Sequence, residues 1–145
     1  MKKKGIIVSG YFNPLHKGHI EYFYKAKSRG NELFVIVNND FQRSLKGSNQ
    51  FMLEDERLLI IKELSVCNKA FISIDNDKTV SKTLEKIFND YQRNYNLYFA
   101  NGGDQNNEGI PEKFICDKLG IKLIDGLGNK IQSSSWLLNS DHENN

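Results

Sequence analysis

Cysteine is scarce in this 145-residue chain and does not cluster: Cys67 and Cys116 lie far apart and outside any CxxC spacing. That argues against a disulfide framework or a zinc cage and makes a reduced, cytoplasmic setting the expectation. Long hydrophobic runs are missing as well. Nothing approaches the roughly 20 consecutive apolar residues of a membrane-spanning helix, and the basic start from Lys2 to Lys4 leads into no apolar segment of signal-peptide length. Charge of one sign is also lacking. A formal net charge of +2 leaves no electrostatic footprint for nucleic acid or an anionic membrane surface. Neither common nucleotide signature is present: no GxGxxG follows the first apolar run, and no GxxxxGK[ST] exists, although "LKGS" at 45–48 shares some of its letters.

What the chain does contain is alternation. "GIIVSG", "ELFVIVNN", "AFISI", "NLYFANGG" and "KLIDGL" are short apolar runs that read as strands buried on both faces. Between them lie segments with helical spacing. "GHIEYFYKAKSRG" places Ile20, Phe23 and Tyr24 on one face and stops at Gly30. "LEDERLLIIKEL" is acidic early, with Leu58, Ile61 and Leu64 on one side. "TVSKTLEKIFNDY" carries the stripe Val80, Leu84, Ile87, Phe88 and Tyr91, and "PEKFICDKLG" opens with Pro111 at a first helical position. "SSSWLLNS" reads as a serine-capped last helix, and the polar run "DFQRSLKGSNQ" at 40–50 as a mobile loop with Phe41 and Leu45 as its apolar anchors. With no internal repeat or linker, residues 1–140 form one domain and 141–145 a frayed polar tail. Strand–helix alternation predicts a Rossmann-like three-layer α/β domain with a five-stranded parallel sheet and right-handed crossovers.

In such sheets ligands bind beyond the carboxyl ends of the strands. The junctions there are "SGYFNPLHKGH", "NNDFQRSLKG", "NGGDQ" and "GNKIQSSS", all polar and glycine-bearing. His16, Gly18 and His19 fall at the start of the first helix, where backbone N–H groups and the positive dipole end favour anions. Gly18 would let a phosphate approach the backbone. Imidazole N–H donors there would stabilise charge growing at a phosphorus centre. Ser133, Ser134 and Ser135 offer hydroxyls at another helix start, and Lys46 and Arg57 could add positive charge. A zinc pair has less support, because no third ligand accompanies the histidines: Cys67 follows a helix and His142 sits in the tail.

His16-Lys17-Gly18-His19, preceded by "GYFNP", resembles the HxGH nucleotidyltransferases, which carry Gly-x-Phe-[Asp/Asn]-Pro before the motif. "VNNDFQRSLKG" and "LEDERLLII" resemble segments of the adenylyltransferase domain of ADP-heptose synthases and, more loosely, glycerol-3-phosphate cytidylyltransferase. "NGGDQ" is similar to the family's GGD loop, and "IQSSSWLL" to its ISSS/ISTT signature. The resemblance implies transfer of CMP or AMP from CTP or ATP to a phosphorylated sugar or polyol, with release of pyrophosphate. It implies His16, His19 and Lys46 as catalytic residues. Gly10, Tyr11, Phe12, Gly18, Arg57, Gly103, Asp104 and Ser133 to Ser135 would bind the nucleotide, and Asn13 and Asp40 would lie toward the acceptor. Mg²⁺ would be held mainly through the phosphates, with no dedicated protein metal site, and homodimers are common among the resembling enzymes. Asn13 where aspartate is commoner, Gln105 where an aromatic is frequent, and Gln132 and Trp136 flanking the serines are departures that bear on the substrate. A non-catalytic nucleotide-binding module of the same fold is the alternative.

Overall fold

The structure, a computed structural model, describes residues 2–100, 110–125 and 127. Strands and helices alternate as β1 (Lys3–Gly10), α1 (Lys17–Lys27), β2 (Glu32–Val37), α2 (Asp40–Lys46), α3 (Glu54–Glu63), β3 (Lys69–Ile72), α4 (Ser81–Tyr91), β4 (Tyr95–Ala100), α5 (Lys113–Leu119) and β5 (Lys122–Ile124). The sheet has the order β3-β2-β1-β4-β5, and every pairing is parallel. This is the expected Rossmann-like α/β fold. The chain winds outward from β1 to β3, then returns to place β4 on the other side of β1. Strand order therefore reverses beside β1, which puts the ligand crevice at the carboxyl end of that strand.

The period-2 geometry of the strands divides the core in two. Ile6 and Val8 face one side with Leu33, Val35 and Val37, packing against Phe23 and Ala26 of α1 and Ile61 of α3. Ile7, Phe34 and Ile36 face the other side against Leu84 and Ile87 of α4 and Cys116 of α5. Both faces are covered, which explains why the strands read as continuous apolar runs rather than alternating ones.

Four local expectations are corrected. Residues 40–46 form a helix, not a loop. Asn39 caps it, accepting from the Gln42 backbone N–H while the Gln42 side chain accepts from the Asn39 N–H, and Gly47 ends it in the left-handed region at φ 82°. Phe41 and Leu45 do not anchor the segment; both are exposed, and its fully buried side chain is Gln42. In α1 the buried pair is Phe23 and Ala26, while Tyr24 is exposed. Pro111 lies in a turn before α5, whose N-cap is Glu112. The Glu112 carboxylate turns inward and accepts from the Val80 N–H at the head of α4. Burial raises the pKa of that carboxyl.

Candidate functional site

β1 ends at Gly10, and the chain turns sharply into α1. A Cβ on Gly10 would lie 2.8 Å from the Phe12 ring, so only glycine lets that ring fold back here. Phe12 adopts φ 52° and is buried, meeting His19 edge-on at 5.0 Å between centroids and Phe23 at 5.4 Å. Phe12 thus sets the orientation of one imidazole while belonging to the core.

The two histidines form a reciprocal helix cap. His16 is the N-cap of α1, and its Nδ1 accepts from the Gly18 N–H at 3.1 Å. His19, three residues on, accepts the His16 N–H on its own Nδ1 at 3.1 Å. This is a capping box made of imidazoles. An Nδ1 that accepts carries no proton, so each ring presents its N–H at Nε2, away from the helix. The rings stack with centroids 3.9 Å apart and planes 30° apart. Burial, reinforced by the neighbouring His16, lowers the pKa of His19 to about 4. His19 is therefore a neutral hydrogen-bond donor at ordinary pH.

Gly18 has a different job from the one expected. A Cβ there would meet the His16 ring at 3.0–3.2 Å, so its open side is filled by imidazole. The Gly18, His19 and Ile20 N–H groups are all engaged with His16. The helix start offers an anion its two Nε2–H groups rather than these amides.

Around the histidines lies a cleft of about 410 Å³ lined by Gly10, Tyr11, Phe12, Asn13, Pro14, His16, His19, Lys46 and Ser48. Lys46 ends α2, and its ammonium stands 4.5 Å from the Tyr11 ring centroid. Burial raises the pKa of the Tyr11 phenol. Asn13 pins the far wall: its Oδ1 accepts from the Phe51 and Met52 N–H groups at 3.0 and 3.1 Å, and its Nδ2 donates to the Asn49 carbonyl at 2.6 Å.

Arg57 is placed behind the cleft. Its side chain has no exposed surface. It donates to the Tyr11, Asn38 and Met52 carbonyls and to Asp40 Oδ1 at 2.6–3.1 Å. Asp40 is likewise committed, exchanging backbone and carboxylate hydrogen bonds with Glu54. Arg57, expected to bind nucleotide, and Asp40, expected toward the acceptor, join the loops after β1 and β2 to the head of α3. Gly103, Asp104 and Ser133 to Ser135 lie outside the described residues, as does the boundary at 140.

Sequence reasoning missed Ser48 and Pro14 in the cleft lining, and the buried Gln42 that seats α2. Gln42 donates to the Asp77 and Thr79 carbonyls at 2.7 Å and accepts from Asn38 Nδ2 and the Asn39 N–H at 3.1 and 3.0 Å. The signal was available: Asn39 and Gln42 have the three-residue spacing of a capping box. Among the described residues no group of three or more His, Cys, Asp or Glu side chains could hold a metal ion. No helix among them is long and apolar enough to cross a membrane.

The cytidylyltransferase-like family profile matches residues 7–115. A FAD synthase from Picrophilus torridus is 30% identical over 135 residues, covering 90% of both chains. The bifunctional protein HldE of Citrifermentans bemidjiense is 31% identical over 86% of this chain, which spans 25% of that relative's length. The chain likewise spans 54% of a FAD synthase from Thermoplasma volcanium, to which it is 36% identical over 77 residues. In fold it resembles a lipopolysaccharide core biosynthesis protein from Thermoplasma volcanium, with a TM-score of 0.65 at 23% identity over 85% of this chain and 95% of the other. The matched span runs from within β1 to within α5, through the imidazole cap and the switch in strand order, and the chain belongs to the cytidylyltransferase-like family of the nucleotidyltransferase superfamily.

Proposed function

We propose that the protein transfers a nucleoside monophosphate from ATP or CTP to the phosphate of a small molecule, releasing pyrophosphate. The observation that carries this reading is the stacked His16–His19 pair, with both Nδ1 atoms spent on the helix cap and both Nε2–H groups left at the cleft. Adenylyl transfer is the favoured half. The relative that matches over 90% of both chains is named a FAD synthase, and FAD is an adenylyl group joined to a flavin phosphate.

In this reaction an oxygen of the acceptor phosphate attacks the α-phosphorus in line. The new P–O bond forms as the bond to the β-phosphate oxygen breaks, and the electron pair leaves with pyrophosphate. The acceptor is already an anion, so no general base is needed. His16 and His19 donate Nε2–H to the α-phosphate oxygens, where charge rises in the transition state, and Lys46 offsets charge on the departing pyrophosphate. Mg²⁺ would be held mainly through the nucleotide phosphates and water and would offset charge on the leaving pyrophosphate. Phe12, Asn13 and the serines at 133–135 complete the nucleotide and acceptor contacts.

Pyrophosphate release from ATP and CTP should be measured against flavin mononucleotide and a panel of sugar and polyol phosphates. Release that requires both a nucleotide and one acceptor is the expected result. Tight nucleotide binding without release for any acceptor would establish a binding module instead.

A further inference from the structure

The contact between Lys46 and Tyr11 joins two segments that are each held from behind. Tyr11 is fixed through its backbone, its carbonyl accepting at 2.8 Å from the wholly buried Arg57. Lys46 is carried on a helix seated by the fully buried Gln42. The two meet at the cleft edge beside His16 and His19. Among the described residues no carboxylate forms an ion pair with Lys46. A free lysine side chain samples many rotamers and loses that entropy when it binds. Resting on a ring face restricts it beforehand, and the quadrupole attracts the ammonium without neutralising it. An aspartate in place of the ring would hold the lysine equally well, but would cancel the charge a phosphate chain needs.

We propose that Tyr11 is a positioning residue for Lys46, its ring parking the ammonium at the cleft mouth where the phosphate chain of the nucleotide enters. This rests on the nucleotidyl-transfer reading. The ring face is the operative part, and the phenol hydroxyl is dispensable to the role. Leucine at position 11 would keep an apolar, though smaller, side chain and lose the attraction.

The test compares Tyr11→Leu, Tyr11→Phe and Lys46→Ala with the Tyr11→Leu/Lys46→Ala double variant. Tyr11→Leu should lower kcat/KM by about two- to fivefold, the range of an exposed cation–ring contact, and Tyr11→Phe should recover most of that loss. In the Lys46→Ala background Tyr11→Leu should have little further effect, because the partner it positions is gone. A second readout needs no reaction. In protein with ¹³C-methylated lysines, the Lys46 signal (assigned through Lys46→Ala) should be ring-shifted upfield in the parent and Tyr11→Phe. It should return to an exposed-lysine position in Tyr11→Leu, and inorganic tripolyphosphate should move the parent signal. An unshifted parent signal, or a Tyr11→Leu loss that persists undiminished without Lys46, would overturn the proposal. If the ring shift is present and responds to tripolyphosphate while no acceptor supports turnover, the positioning role stands and nucleotidyl transfer falls.

Discussion

His16 and His19 each perform two tasks with opposite sides of one ring, and substitution can separate them. Asparagine at an N-cap and glutamine three residues later rebuild an ordinary capping box. The His16→Asn/His19→Gln double variant should therefore keep its folding stability within about 1 kcal/mol of the parent while losing both Nε2–H donors. Turnover should fall by about 10²–10³ for each donor removed, with nucleotide affinity changing far less, because the charge they meet grows only in the transition state. Equal losses in affinity and turnover, measured by calorimetry and pyrophosphate release, would make them binding groups alone. His19 also predicts a pH signature. Its pKa is lowered to about 4 from an ordinary 6.5, so between those values the unfolded chain binds more protons than the folded one. Stability from this group is present above about pH 6.5 and is lost as pH falls toward 4. Urea midpoints of the parent and His19→Gln should converge across that window, the parent losing more on acidification.

Among the elements, a buried glutamine seats α2, and polar groups fix the head of α4, whose apolar stripe packs in the core. Free α4 amides at Lys82 and Thr83 donate to the carboxylate of Asp75, six residues before the helix starts, at 2.7 and 3.0 Å. Ser73 and Thr83 hydroxyls donate to the same group, which is buried. Asp75→Ala should cost about 2–3 kcal/mol, combining a lost helix cap with hydroxyls left unpaired inside, as read from urea denaturation. For α2, the buried Gln42 predicts protection from hydrogen exchange at residues 43–46 in the free protein, well above that at Ser48 to Phe51. Equal, fast exchange across both stretches would return the segment to a loop. The strands and α1, α3 and α4 were legible because buried parallel strands and amphipathic helices leave runs and stripes in sequence. α2 was not, because its buried contact is one glutamine and its apolar residues, Phe41 and Leu45, point outward. The imidazole pair was legible as a motif. The burial of Arg57 was not, since an arginine on a helix looks the same in sequence whether it meets a phosphate or three backbone carbonyls.

For the molecule as a whole, Arg57 is the joint between the loops that follow β1 and β2 and the start of α3. Arg57→Met keeps the length and removes every donor, leaving carbonyls and the Asp40 carboxylate unpaired. It should cost about 3–5 kcal/mol and lower turnover by displacing Tyr11. Arg57→Lys should rescue little, because one ammonium cannot reach four acceptors spread around a planar fork. Thermal unfolding and nucleotide turnover on both variants check this. The position of β1 in the middle of the sheet has a consequence for biosynthesis. β1 takes β2 on one edge, close in sequence, and β4 on the other, with Lys3 opposite Tyr95 roughly ninety residues later. At about 5–20 residues per second of synthesis, β1, β2 and β3 emerge seconds before β4 does. During that interval β1 waits with one edge unpaired and with Ile7 and Phe34 uncovered, the conditions under which partly made chains stick to one another. Slow translation through residues 60–95 should then lower soluble yield, and co-expressed chaperones should restore it.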